Sequence, residues 1–360
     1  MKKNLVRVGV PLLVCAGLLL LYVLHVFVAA QPPYRVATDT NLKAEEAHWQ
    51  ARIGAIGGKA AYGEFAQSVA ALSPELQHQS AHTFGGALYE TEGTKGLSVC
   101  DIRFSYGCFH EFLGRAISAL GLGVVPMLNQ GCVDALGTDS LSCQHGIGHG
   151  VLAYLGYSNV DLKQALGICH DLPYNDPIGG CYGGVFMEYN LQIMLGKDAQ
   201  IRQVKNSDMQ FPCDSIGPAY QPACLFWQPQ WWHQTMRQNT ADEDAIFKQM
   251  GKYCDQVEAP ELIRQCYEGI GNIVPPSANF DGTRAAQLCQ YTSSEPLHQL
   301  FCKSLAANSL FVGGAGAKGD AQAVCAGLTG APLSYCSAYA RNEANIANEK
   351  DIQTLSTEGN

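Results

Sequence analysis

The chain is 360 residues long and carries 23 Lys and Arg against 32 Asp and Glu, a formal net charge of −9. An acidic chain gains nothing from counterion release on a phosphate backbone, so nucleic acid is excluded as a partner. Charged residues are only 15% of the whole, beside 47% hydrophobic residues and 38 glycines, which suits a large core with closely packed backbones.

Residues 1–7 hold Lys2, Lys3 and Arg7, ahead of the uncharged run "VGVPLLVCAGLLLLYVLHVFVAA" at residues 8–30. As a helix this run is long enough to cross a bilayer, and its basic flank places the N-terminus in the cytoplasm. A retained signal anchor is the expectation, with cleavage after Val28 and Ala30 as the alternative. Cys15, inside the run, lacks the small neighbour that a lipoprotein signal requires. The chain then reads as a single-pass membrane protein whose main domain is periplasmic or extracellular. Residues 31–45 read as a linker, 46–349 as that domain, and 350–360 as a polar tail.

Fourteen cysteines follow the anchor, on the side where disulfides persist. In chain order they pair as Cys100 and Cys108, Cys132 and Cys143, Cys169 and Cys181, Cys213 and Cys224, Cys254 and Cys266, Cys289 and Cys302, Cys325 and Cys336. Six pairs are 11 to 13 residues apart and the first is 8 apart, while the second members recur every 34 to 43 residues. That is the period of a helical hairpin. Segments such as "VDLKQALGICHDL", "EDAIFKQMGKYCDQV" and "GTRAAQLCQYT" carry apolar residues three and four apart and end near the first cysteine of a pair. A turn follows, and the second cysteine opens the next helix. Local bridges are the preferred pairing; bridging each second cysteine to the following first one is the alternative, which strands Cys100 and Cys336.

With the second cysteine as position zero, the helices "CFHEFLGR", "CQHGIGHG", "CYGGVFME", "CLFWQPQW", "CYEGIGNI", "CKSLAANS" and "CSAYARNE" align without a gap. "SAHTFGGALYE" fits the same frame with Ser80 in the cysteine position, an unstapled first unit. Position two holds His82, His110 and His145, then Gly183, Phe226, Glu268, Ser304 and Ala338. Position six, on the same stripe of the helix, holds His149, Met187, Gln230 and then three asparagines in its last six units. Glycines at positions three and five cost helix propensity and so point to a packing gain between neighbouring helices.

His145 and His149 can share one metal ion, with His110 reaching from the unit before and Glu188 as a carboxylate ligand. Zinc, iron and copper all suit such a set. At an ordinary helix spacing of about 10 Å, His82 is too distant to join. Without a metal, these imidazoles bond to carbonyls between hairpins or face a concave groove, together with His82, Glu111 and Met187. "HEFLG" and "HGIGH" both depart from HExxH, and no nucleophile elbow, P-loop or dinucleotide fingerprint is present, so no reaction is assigned. In "CLFWQPQWWHQTMRQN" the residues Trp227, Trp231 and Trp232 form either an aromatic platform for a sugar or partner side chain, or a core patch.

The fold class expected is all-α: a transmembrane helix followed by an α-solenoid of about eight hairpins, seven of them stapled by disulfides within the repeat. The architecture resembles helical repeats of the Sel1 and tetratricopeptide kind, with a different motif inside each repeat. Such a domain binds a protein or glycan partner in its groove, carries a metal-binding or metal-dependent catalytic site in its N-terminal repeats, or serves a structural role in the envelope.

Overall fold

The computed structural model describes residues 39–173, 176–192, 209–313 and 318–343. The anchor at residues 8–30 and the tail at 350–360 lie outside the described residues. Among the described residues no single helix is long and apolar enough to cross a membrane. Contacts divide the chain into Met1–Ala47 and His48–Asn360. Of the first unit, residues 39–47 are described, and they open a helix; the other described helices all belong to the second unit.

The described residues are all-helical, with fifteen α-helices and no strand. In chain order they are α1 (Asp39–Ile56), α2 (Gly58–Ser68), α3 (Pro74–Glu92), α4 (Gly107–Leu120), α5 (Val125–Leu136), α6 (Leu141–Leu155), α7 (Asn159–His170), α8 (Cys181–Leu191), α9 (Gln221–Arg237), α10 (Glu243–Cys254), α11 (Pro260–Ser277), α12 (Gly282–Thr292), α13 (Pro296–Gly313), α14 (Lys318–Ala323) and α15 (Gly330–Tyr339). Helix α1 begins at Asp39, inside the stretch 31–45 read as linker, because "LKAEEA" at 42–47 is made of strong helix formers.

Local chemistry sets where several of these helices start. Ser158 accepts a hydrogen bond from the Asp161 amide while Asp161 accepts from the Ser158 amide, a complete capping box for α7. Asp242 caps α10 through the Ala245 amide, and Asp281 caps α12 through the Arg284 amide. Pro74 and Pro260 stand at the first position of α3 and α11, where no amide hydrogen is needed.

Eight helices pack in one row, each against the next: α3, α4, α6, α8, α9, α11, α13 and α15. They are the helices that carry the aligned frame. Helices α10, α12 and α14 lie side by side in a second layer, and α7 contacts both α6 and α8. The short turn Phe104–Tyr106, just ahead of α4, touches both α6 and α13. The row therefore bends until its seventh helix meets the start of its second.

All seven bridges are local, joining Cys100 to Cys108, Cys132 to Cys143, Cys169 to Cys181, Cys213 to Cys224, Cys254 to Cys266, Cys289 to Cys302 and Cys325 to Cys336, with Cα separations of 5.4 to 5.8 Å. Each ties the segment ahead of a row helix to that helix's first turns. Closing a loop of this length contributes about 2.5 to 3 kcal/mol in the chain-entropy account.

The glycines explain how close the row is. A Cβ on Gly85 would lie 2.2 Å from the Cys108 carbonyl oxygen, and one on Gly148 would lie 2.0 Å from that of Cys181. Both are position-five glycines pressed on the position-zero carbonyl of the next unit. From the other side, a Cβ on Gly184 would lie 1.8 Å from the His145 carbonyl oxygen. Backbone meets backbone across the row, so residues in equivalent positions come closer than ordinary helix packing allows.

Candidate metal centre

Three neighbouring row helices bring five histidines into one cluster: His78 and His82 from α3, His110 from α4, His145 and His149 from α6. Ring centroids are 4.7 Å apart for His78 and His82, 5.2 Å for His82 and His110, 4.5 Å for His110 and His149, and 4.9 Å for His145 and His149. His82 stands apart from the His145 and His149 group, as expected, but its ring reaches that of His110 at closer than ordinary helix spacing, and the reason is the glycine contact between backbones. His78 is not among the sequence candidates. Its signal is the "HQSAH" spacing, the same four-residue step as His145 to His149.

These side chains form two groups that share a member. One ring nitrogen from each of His110, His145 and His149 lies within 4.8 Å of those of the other two, and the same holds for His78, His82 and His110. The inner group is fully enclosed: His110, His145 and His149 are 1%, 4% and 0% exposed. The outer group is half-buried, with the His82 side chain 16% exposed and Glu111 beside it.

Fixed acceptors set the tautomers of the inner group. His149 donates from Nδ1 to Glu188 Oε2 at 2.9 Å, and Tyr157 holds the other Glu188 oxygen at 2.6 Å. His145 donates from Nδ1 to the Gly179 carbonyl at 2.9 Å. A neutral imidazole that donates from Nδ1 presents a lone pair at Nε2. The Nε2 atoms of His110 and His149 are both buried with no hydrogen-bond partner. Burial pushes His78, His145 and His149 down to about 3 and His110 well below its usual range, because a charged imidazole cannot be solvated there. The rings are accordingly neutral at physiological pH, the form that ligates a metal.

Glu188, expected as a ligand, instead orients His149 from behind, the arrangement by which carboxylates fix metal-bound histidines. Glu111 stands with an oxygen 3.9 Å from His82 Nδ1 and accepts from Arg115 at 2.7 Å. Met187 is half-buried on α8. The three tryptophans are buried, which matches the core alternative rather than an open platform. Trp232 donates to the Met209 carbonyl at 2.7 Å, Trp231 is 3% exposed, and Trp227 donates to the Ile178 carbonyl at 3.0 Å with its ring 5.0 Å from His145. Trp227 thus walls the inner group. Further along the row the same stripe changes chemistry: Glu268 at position two pairs with Arg264 at 2.7 Å, and Ser304 is buried.

Comparison with known protein families, curated proteins and solved structures finds no match for this chain.

Proposed function

We propose that this chain is a metal-binding protein in which His110, His145 and His149 hold one transition-metal ion of the imidazole-preferring kind, zinc, copper or iron. The single observation that carries this reading is the convergence of three buried, neutral rings, with His149 fixed by Glu188 so that its unpartnered Nε2 offers a lone pair, and His145 held through Nδ1 by the Gly179 carbonyl. Buried ring nitrogens without a partner in a dry interior are unfavourable, and a cation between them relieves those of His110 and His149. The reading commits to binding and assigns no reaction. Burial of His110, His145 and His149 favours it over a protein or glycan partner held in a groove at those residues.

The setting proposed is a solenoid of about eight stapled hairpins on the outer side of a membrane, anchored by residues 8–30. Seven bridges support an oxidising compartment, and the row of eight helices supports the hairpin count.

The test is elemental analysis of the full chain, made in an oxidising compartment, purified without a histidine tag and supplied with zinc or copper(II). Bound metal is expected in the wild-type protein. It should be lost from the inner group in His149→Ala while the bridges and helical signal persist. Protein that binds no metal, or binds it equally well without His145 and His149, overturns the reading.

A further inference from the structure

We infer that His78, His82 and His110 form a second metal site, joined to the first through the His110 ring, so that two ions share one imidazolate bridge. The proposal rests on the metal reading above and deepens it.

The two ring nitrogens of His110 stand in different surroundings. Its Nδ1 lies 3.3 Å from His82 Nε2, toward the outer group, while its Nε2 is buried without a hydrogen-bond partner. His82 Nε2 lies in turn 3.2 Å from His78 Nε2. Two nitrogens on one tetrahedral ion, each bound at about 2.0 to 2.1 Å, stand about 3.4 Å apart. The two spacings at His82 match that edge, and the third lies within 4.8 Å.

Proton placement gives the second argument. His78 Nδ1 lies 2.7 Å from the Phe104 carbonyl, so it carries the proton and leaves a lone pair on Nε2. If His82 Nε2 accepts from His110, it confronts that lone pair at 3.2 Å. If His82 Nε2 donates to His78, then His110 Nδ1 has no proton to give, and the His110 proton sits on Nε2, buried and without an acceptor. Either neutral arrangement leaves one conflict, and a cation among the three nitrogens removes it.

The carbonyl that fixes His78 is itself held in an uncommon way. Phe104, Ser105 and Tyr106 have φ values of 57°, 50° and 68°, three consecutive side-chain-bearing residues in the left-handed region. Such runs persist only where the surroundings over-determine them. Access is from the same side: His82 is partly exposed and the Glu111 carboxylate stands next to it, attractive to an incoming cation.

Loading both sites balances simply. The first ion takes the lone pair on one nitrogen of neutral His110. The second ion replaces the remaining ring proton, which leaves to solvent past His82, so one proton is released and no electron moves. The ions then stand about 6 Å apart across the ring.

The experiment is titration of the full chain, stripped with a chelator, with copper(II), reading stoichiometry and electron paramagnetic resonance. Two ions per chain are expected, with resonance intensity at two equivalents lower than at one because the bridge couples the spins. The double variant His78→Ala with His82→Ala should bind one ion with full, uncoupled intensity. One ion in the wild type, lost in His149→Ala and indifferent to the double variant, overturns the second site and leaves the first standing. Two ions whose intensities simply add overturn the bridge. No ion at all overturns both readings. The coupling is read on the wild-type protein, so the outcome stands even if a variant fails to fold.

Discussion

His149 shows how much of this centre depends on its outer partners. Glu188 accepts the hydrogen bond from its Nδ1 and Tyr157 steadies Glu188, so the ring has one tautomer and one orientation. Glu188→Ala should lower metal affinity about 10- to 100-fold while the fold persists, as read by competition with a chromogenic chelator; unchanged affinity would show that His149 is not a ligand. The metal-free protein should also lose stability in acid. His78, His145 and His149 sit near 3 in the folded chain against about 6.5 unfolded. Between those values the unfolded chain binds protons that the folded one refuses. Stability present above pH 6.5 is therefore lost as pH falls toward 3, by up to about 1.4 kcal/mol per histidine per pH unit, and these groups cost nothing further below that. Denaturant melts at pH 7 and pH 5 in excess chelator check the sign, and His145→Ala should flatten the slope.

At the scale of helices, close approach decides what the sequence could and could not reveal. The frame at positions zero, two and six is legible because cysteines index it, and the local bridges are the preferred of the two pairings that the spacing leaves open. The distance between helices is not legible, since it depends on Gly148 meeting the Cys181 carbonyl and Gly184 meeting that of His145. An ordinary spacing of about 10 Å therefore misses the contact between the His82 and His110 rings, 5.2 Å apart. His78 precedes the frame, two residues ahead of Ser80, so the alignment passes over it. The tryptophans look like a platform in sequence because their number is visible and their burial is not. A direct check is Gly184→Ala, whose added carbon must drive α6 and α8 apart. A loss of about 1 to 3 kcal/mol or more is expected, together with weakened metal binding. Gly63→Ala in α2, with open space around it, should be neutral or gain up to about 1 kcal/mol. Equal effects at the two positions would contradict the packing account.

Across the whole molecule, seven short bridges hold a row of helices whose stripe buries ionisable groups from His110 to Glu268. Removing one bridge by Cys169→Ser with Cys181→Ser should cost about 2.5 to 3 kcal/mol in thermal or denaturant melts, and chain made in a reducing cytosol should lose several such contributions together. The histidine cluster spans α3, α4 and α6, and an ion on His110, His145 and His149 ties α4 to α6, so metal should raise the melting temperature of the row. The central claim is that buried imidazole nitrogens, not thiolates, hold that ion. X-ray absorption at the metal edge of the loaded, disulfide-intact protein tests it most directly. A first shell of nitrogen at about 2.0 to 2.1 Å with outer scattering from several imidazole rings is the predicted result, and a sulfur shell near about 2.3 Å, or no imidazole scattering, would contradict it.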